Sequence, residues 1–181
     1  MRDQLQVRKL RTEDVGVLSE HFRSELDRTH HTDLFDQDAG HFSFHVAWAG
    51  DLPVGHALIR WIGPRTPEVA LQYPGCPEIY RLVVLEPHRA RGIGSQLIAA
   101  CEDEARARRK GLVGLGVEHT NPQARRLYER LGYSAAISRY EDSYGVRDAV
   151  GEISWVRSAC VWMTKALVTP LELLGDANGE D

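Results

Sequence analysis

The chain has 181 residues, 43% of them apolar and 27% charged, and a formal net charge of −4. That length suits one domain with its own core, and the mild acidity argues against a general nucleic-acid binder while suiting a cationic substrate. With no apolar run of membrane-spanning length and no signal-peptide stretch after Met1-Arg2-Asp3-Gln4, a cytoplasmic protein without a membrane partner is expected.

Leu5 and Val7 open a strand, and Thr12 reads as the N-cap of a helix with Glu13 and Asp14 in its first turn and Val15, Leu18 and Phe22 on one face. Residues Glu25 to Gly40 are polar, without a clear period, and read as a short helix plus loop. Phe42, Phe44, Val46 and Trp48 alternate as a half-buried strand, and Gly50-Asp51 turns into a strand from Val54 to Ile62. Gly63 to Pro77 holds four prolines and reads as a loop. A strand from Glu78 to Leu85 is followed by a glycine turn and a helix from Ser95 to Lys110. Leu97, Ile98, Cys101 and Ala105 line one face of that helix, basic residues close it, and Gly111 stands past its end.

Leu112 to Val117 is the next strand. Asn121-Pro122 starts a helix, with Asn as cap and Pro in the first turn. Ala124, Leu127, Tyr128 and Leu131 make its apolar face, and Gly132 ends it. Ala135 to Tyr144 and Cys160 to Thr164 read as the last strands, with Asp142 to Ser158 forming a loop between them. This order predicts a single mixed α/β domain over residues 4–168, a sheet with helices on its faces, and an acidic, flexible tail over 169–181. Cys76, Cys101 and Cys160 lack metal-ligand spacing and read as reduced buried thiols. His30, His31, His41, His45 and His56 show no metal-ligand pairing and read as loop and edge residues, so no metal is expected.

The chemistry concentrates in Arg89-Ala90-Arg91-Gly92-Ile93-Gly94-Ser95. A strand, then two glycines and two arginines, then a helix start is a cradle for a phosphorylated ligand: helix N-termini present unpaired N–H groups and a positive dipole end, and glycine lets the ligand approach the backbone. No lysine follows Gly94, which excludes a P-loop. The missing third glycine and the mid-chain position make a dinucleotide fingerprint a poor fit.

Arg89-Ala90-Arg91-Gly92-Ile93-Gly94 instead resembles the first motif of the GCN5-related N-acetyltransferase (GNAT) superfamily. The stretch from Asn121-Pro122-Gln123-Ala124 through Tyr128 to Gly132-Tyr133 is similar to its second block, and Leu82-Val83-Val84 matches its preceding strand. The resemblance covers about Leu5 to Leu167. It implies a central, mostly antiparallel sheet whose strands splay at the acetyl-CoA site, with the pyrophosphate on Arg89, Ala90, Arg91, Gly92, Ile93, Gly94 and Ser95. It implies a pantetheine arm pairing with Leu82, Val83 and Val84 and bonded by Asn121, a proton on Tyr128 for the departing thiolate, and the Leu82 N–H as oxyanion donor. Glu78, four residues before Leu82, is the implied base; strand alternation places Glu78, Tyr80, Leu82 and Val84 on one face.

The resemblance thus implies acetyl-CoA as acyl donor, with direct transfer to a primary amine of a small molecule, peptide or protein, and a possible homodimer. The alternative from another class is a silent acyl-CoA-binding sensor. The acceptor would be selected by residues 15–40 and 142–158. There Glu25, Asp27, Asp33, Asp36 and Asp38 suit an amine and equally a solvated loop.

Overall fold

The computed structural model describes residues 5–22, 30–148, 150 and 152–167. The tail predicted over 169–181, together with Glu25 and Asp27, lies outside them.

Seven strands form one sheet in the order β1-β2-β3-β4-β5-β7-β6. They are β1 (Leu5–Lys9), β2 (Phe42–Ala49), β3 (Leu52–Arg60), β4 (Glu78–Val84), β5 (Leu112–Glu118), β6 (Ser134–Arg147) and β7 (Ile153–Ala166). Every neighbouring pair is antiparallel except β4 and β5. Those two are joined through helix α4 (Ile93–Ala107), the kind of crossover a parallel pair demands. Helices α1 (Val15–His21), α2 (His30–Asp38) and α3 (Pro67–Gln72) pack on one face, and α4 and α5 (Pro122–Arg130) on the other.

The α4 face is the larger core. Leu97, Ile98, Cys101 and Ala105 are at most 1% exposed against Ala57, Ile59, Val113 and Leu115, and each fully buried Leu or Ile there contributes about 1.5–3 kcal/mol. On the opposite face, Val15 and Leu18 of α1 meet Phe44, Val46 and Leu58. Further along the same face, Val69 of α3 packs in a cluster with Tyr140 and Trp162.

Several sequence expectations shift. The proline-rich stretch 63–77 contains α3, whose first residue is Pro67 after the extended Thr66; a proline at the first helical position starts a helix instead of breaking one. Thr12 does not cap α1 but opens a 3-10 turn, and Asp14 is drawn into a partly buried ion pair with Arg8 (2.5 and 2.8 Å). Helix α4 begins at Ile93 and ends at Ala107, and the left-handed residue closing it is Arg109 (φ 54°), not Gly111. His45 and His56 are not edge residues: they lie in β2 and β3, 6% and 4% exposed.

The largest correction concerns the last two strands. Residues 145–147 and 153–158, read only as loop, extend the two strands, which pair from Asp142↔Ser158 to Arg147↔Ile153. Since β5 reaches only to Cys160 of β7, the outer part of this hairpin pairs with itself and projects past the sheet.

Candidate active site

Strands β4 and β5 share two rungs, Glu78↔Gly114 and Ile79↔Leu115, and then part. The parting follows from a bulge in β4. Leu58 pairs with Tyr80 but His56 pairs with Val83, so β4 carries one residue more than β3 across this stretch. Arg81 takes the strained position, with φ 53°, and its side chain is held by both oxygens of Asp33 at 3.0 and 2.8 Å. Asp33 is 1% exposed.

The bulge overturns the alternation expected for this strand. Glu78 and Tyr80 face the side of α1 to α3, with Tyr80 against Phe42. Beyond the extra residue, Leu82 and Val84 face the α4 side, together with Ile79.

Two cavities meet in the resulting cleft. The first, of about 740 Å³, runs from Leu82, Val83 and Val84 along Arg89, Ala90, Gly92, Ile93, Gly94 and Ser95 to Asn121. Gly92 caps α4 in the left-handed region (φ 79°), and among the described residues no side chain bonds the first N–H groups of that helix, so the Ile93, Gly94 and Ser95 amides face an open end. Arg89 is fixed by its Nε–H donating to the Val84 carbonyl (3.0 Å). Arg91 is exposed and does not line the cavity, whereas His88 and Arg130 do. Asn121 caps α5 as the Asn-Pro pair foretells, its side-chain oxygen accepting from the Ala124 N–H at 3.0 Å.

The second cavity, of about 750 Å³, is lined by Glu78, Leu82, Val83, Asn121 and Tyr128. Leu82, Val83 and Asn121 therefore belong to both spaces. Glu78 is 6% exposed; its Oε2 accepts from the Arg65 backbone N–H at 2.7 Å. Burial pushes its carboxyl above the ordinary range, and the Arg65 hydrogen bond offsets part of that rise. Tyr128, 7% exposed, has its phenol pushed up to about 12 by burial, and its hydroxyl bonds no other group among the described residues.

The rest of the second cavity was not legible beforehand. Arg60, Arg65 and Arg81 line it with Phe42, Tyr80, Tyr140, Tyr144, Asp142 and Trp155. The predicted selectivity segment 142–158 does contribute Asp142, Tyr144 and Trp155, as a hairpin arm; no described residue of 15–40 lines the cavity. Asp142 anchors the loop before α3, accepting from the Arg65 guanidinium (2.5 Å) and the Thr66 hydroxyl (3.0 Å). That loop in turn holds Glu78. Proline periodicity and charge counting carry no signal for such a contact, which spans 77 residues of sequence. Cys160 also lines the cavity, its thiol pushed up to about 11 by burial, and His119 is exposed and outside it. Among the described residues no group of three or more His, Cys, Asp or Glu is placed to hold a metal ion, and no helix is long and apolar enough to cross a membrane.

Comparison with known proteins bears on both spaces. An aminoalkylphosphonate N-acetyltransferase of Salmonella typhimurium is 43% identical over 63 residues, 35% of this chain and 41% of that protein. The chain spans only about two fifths of the length of the curated relatives it matches. A ribosomal-protein-alanine N-acetyltransferase from Brucella melitensis has the same fold, with a TM-score of 0.65 at 21% identity, covering 89% of this chain and 99% of that one. A putative acetyltransferase from Salmonella typhimurium, solved with its cofactor acetyl-CoA, superposes with a TM-score of 0.63 at 18% identity over 92% of this chain and 95% of that one. The acetyltransferase (GNAT) family itself matches residues 7–133, and the chain belongs to that family.

Proposed function

We propose that the protein is an acetyl-CoA-dependent N-acetyltransferase that delivers the acetyl group directly to a primary amine of a small molecule, peptide or protein. The observation that carries this is the cleft opened by the β4 bulge. It joins an uncapped helix N-terminus on one side to a buried carboxyl and a buried phenol on the other.

The residues present fit the donor. The open amides of Ile93, Gly94 and Ser95, with Arg89 beside them, suit a pyrophosphate, and the apolar edge of Leu82 to Val84 suits an extended arm that pairs with backbone. Asn121 keeps its amide N–H groups for that arm while its oxygen caps α5. Acetyl-CoA, when bound, supplies the acetyl group as an activated thioester.

Glu78 then takes the proton of the acceptor ammonium. A carboxyl lifted by burial is a better match for that task than an ordinary one, and the Arg65 N–H keeps its second oxygen oriented. The Leu82 N–H, at the bulge, serves as oxyanion donor. Tyr128 stays protonated at neutral pH, and its hydroxyl would donate to the departing thiolate. Cys160, with its thiol raised to about 11, is neutral at working pH, which suits direct transfer over a covalent relay. The Salmonella relative named for aminoalkylphosphonates is similarly an N-acetyltransferase, which supports an amine acceptor.

The test is thiol release from acetyl-CoA across a panel of amino acids, polyamines, aminoglycosides and peptides, with mass detection of the acetylated product. Release with at least one amine supports the reading. Tight acetyl-CoA binding with no product from any amine would instead mark a silent sensor.

A further inference from the structure

The charges around the acceptor-side cavity do not all cancel. Arg65 is spent on Asp142, Arg81 on Asp33, and Glu118 accepts the Tyr144 hydroxyl at 3.1 Å. What remains without a bonded opposite charge is two carboxyls, Glu78 and Glu118, and one guanidinium, Arg60. Of these, Glu78 and Arg60 sit directly opposite each other in the antiparallel register of β3 and β4, so their side chains leave the same face of the sheet as close neighbours. Yet they do not bond to one another: Glu78 accepts from the Arg65 N–H, and Arg60 makes no ion pair among the described residues. The Arg60 Nε is buried without a hydrogen-bond partner, and its guanidinium lies 5.9 Å over the Phe42 ring, on the wall of the cavity. The Nε is enclosed and out of a ligand's reach, whereas the terminal N–H groups of the guanidinium are not enclosed and bond nothing among the described residues, so they are the donors a ligand in the cavity meets.

We infer that the acceptor is a short zwitterion: a primary amine whose carbon skeleton carries a carboxylate or phosphonate a few ångströms from the nitrogen. The ammonium sits at Glu78 and the anion on Arg60. The inference rests on the acetyl-transfer reading for its chemistry but not for its geometry. Arg60 pairs with a planar or tetrahedral anion as a fork of N–H donors, and Phe42 beneath it fixes the fork before the ligand arrives. A peptide N-terminus does not meet this pattern, because the carbonyl next to its amine is neutral.

Two measurements separate the anchor from the chemistry. Steady-state thiol release is compared for 3-aminopropanoate against propylamine, and for aminomethylphosphonate against methylamine, in the unaltered protein and in Arg60→Gln. The anionic member of each pair should have a kcat/KM at least about 10-fold higher, and Arg60→Gln should collapse that ratio toward one, in keeping with loss of a charge-assisted hydrogen bond. Calorimetric titration of 3-aminopropanoate into the CoA-saturated protein reads the anchor without turnover, and binding should weaken about 10-fold or more in Arg60→Gln. Equal turnover of the neutral amines, or a peptide amide with a free N-terminus outcompeting the short zwitterions, would overturn the anchor while leaving acetyl transfer intact. Binding of 3-aminopropanoate that depends on Arg60, with no acetylated product, would uphold the anchor and overturn the transferase reading instead.

Discussion

Replacing Tyr128 by phenylalanine removes one oxygen atom from a side chain that is 7% exposed and whose hydroxyl bonds no other described residue. The fold therefore loses no internal hydrogen bond, and the ring keeps its packing beside Tyr133, 6.2 Å away between centroids. On the proposed mechanism, what the variant loses is a donor at the departing thiolate. With the phenol pushed up to about 12, roughly one molecule in 10⁵ is ionised at pH 7, so the donor is present throughout the working range. Complete proton transfer to an ordinary thiolate, whose acid lies near about 8.5, runs uphill by some 3.5 pH units or roughly 5 kcal/mol. In the proposed mechanism the phenol thus serves mainly as a hydrogen-bond donor to developing charge, a contribution of about 1.5–3 kcal/mol. Tyr128→Phe should lower kcat by about 10- to 150-fold, leave the Kd for acetyl-CoA within about twofold, and leave Tm unchanged. Single-turnover thiol release and calorimetry with acetyl-CoA read the two halves separately. Full activity, or a loss confined to acetyl-CoA binding, would refute the assignment, and so would an alkaline limb below pH 10 that disappears in the variant.

Glu78→Gln should lower kcat/KM by about 10²–10⁴-fold and abolish the acid limb of the pH–rate profile; an unchanged profile would place the base elsewhere. Because burial raises the Glu78 carboxyl, the folded chain holds its proton in a window just above the unfolded value of about 4.3. Stability then falls as pH rises through that window, and denaturation of Glu78→Gln should lack this slope. His56, wedged against Phe22 and Phe44 at 4.8 and 5.2 Å, is pushed down to about 3 by burial. The unfolded chain binds its proton from about pH 6.5 downward and the folded chain does not, so stability should drop with falling pH by about 2 kcal/mol at pH 5. His56→Leu should flatten the acid side of urea-denaturation stability, and a slope as steep as before would sink the assignment. Gly114→Ala would place a methyl carbon 2.1 Å from Cζ2 of the fully buried Trp162. It should cost about 3 kcal/mol or more and lower Tm by roughly 6–12 °C in a chain of this size; an unchanged Tm by calorimetry would show that the ring can yield.

The parts that were legible in the sequence are those set within a few residues. Gly92 supplies the left-handed cap of α4, Asn121-Pro122 the start of α5, and Gly132 (φ 91°) its end. Each is a local backbone requirement that few residue types meet. The Glu78, Tyr128 and Asn121 positions followed the same motifs and do gather around one cleft. What stayed hidden depends on register and on tertiary charge. The carboxylates Glu102 and Glu104 look like helix-dipole charges in sequence. In the fold, Glu102 binds Lys165 at 2.7 Å and Glu104 ties Lys9, Ser43 and His45 onto α4. Arg108, one of the basic residues that close α4, lies 4.1 Å over Trp61. Arg60, which lines the acceptor side, announces itself only through the strand opposite it.

The bulge at Arg81 shows why strict alternation could not have placed this site. With unbroken period-two geometry, the Glu78 and Leu82 side chains would leave the same face of the sheet. One added residue reverses the strand beyond Tyr80, so Glu78 keeps to the face of α1 to α3 while Leu82 and Val84 turn to α4. The same residue ends the pairing of β4 with β5 after Ile79 and opens the passage through the sheet. A non-glycine residue at φ 53° is strained, and the bidentate grip of the buried Asp33 is positioned to hold it. The acidic residue that looked like part of a solvated or amine-binding stretch thus has a different use. Through α2, it fixes the backbone turn on which both halves of the cleft depend.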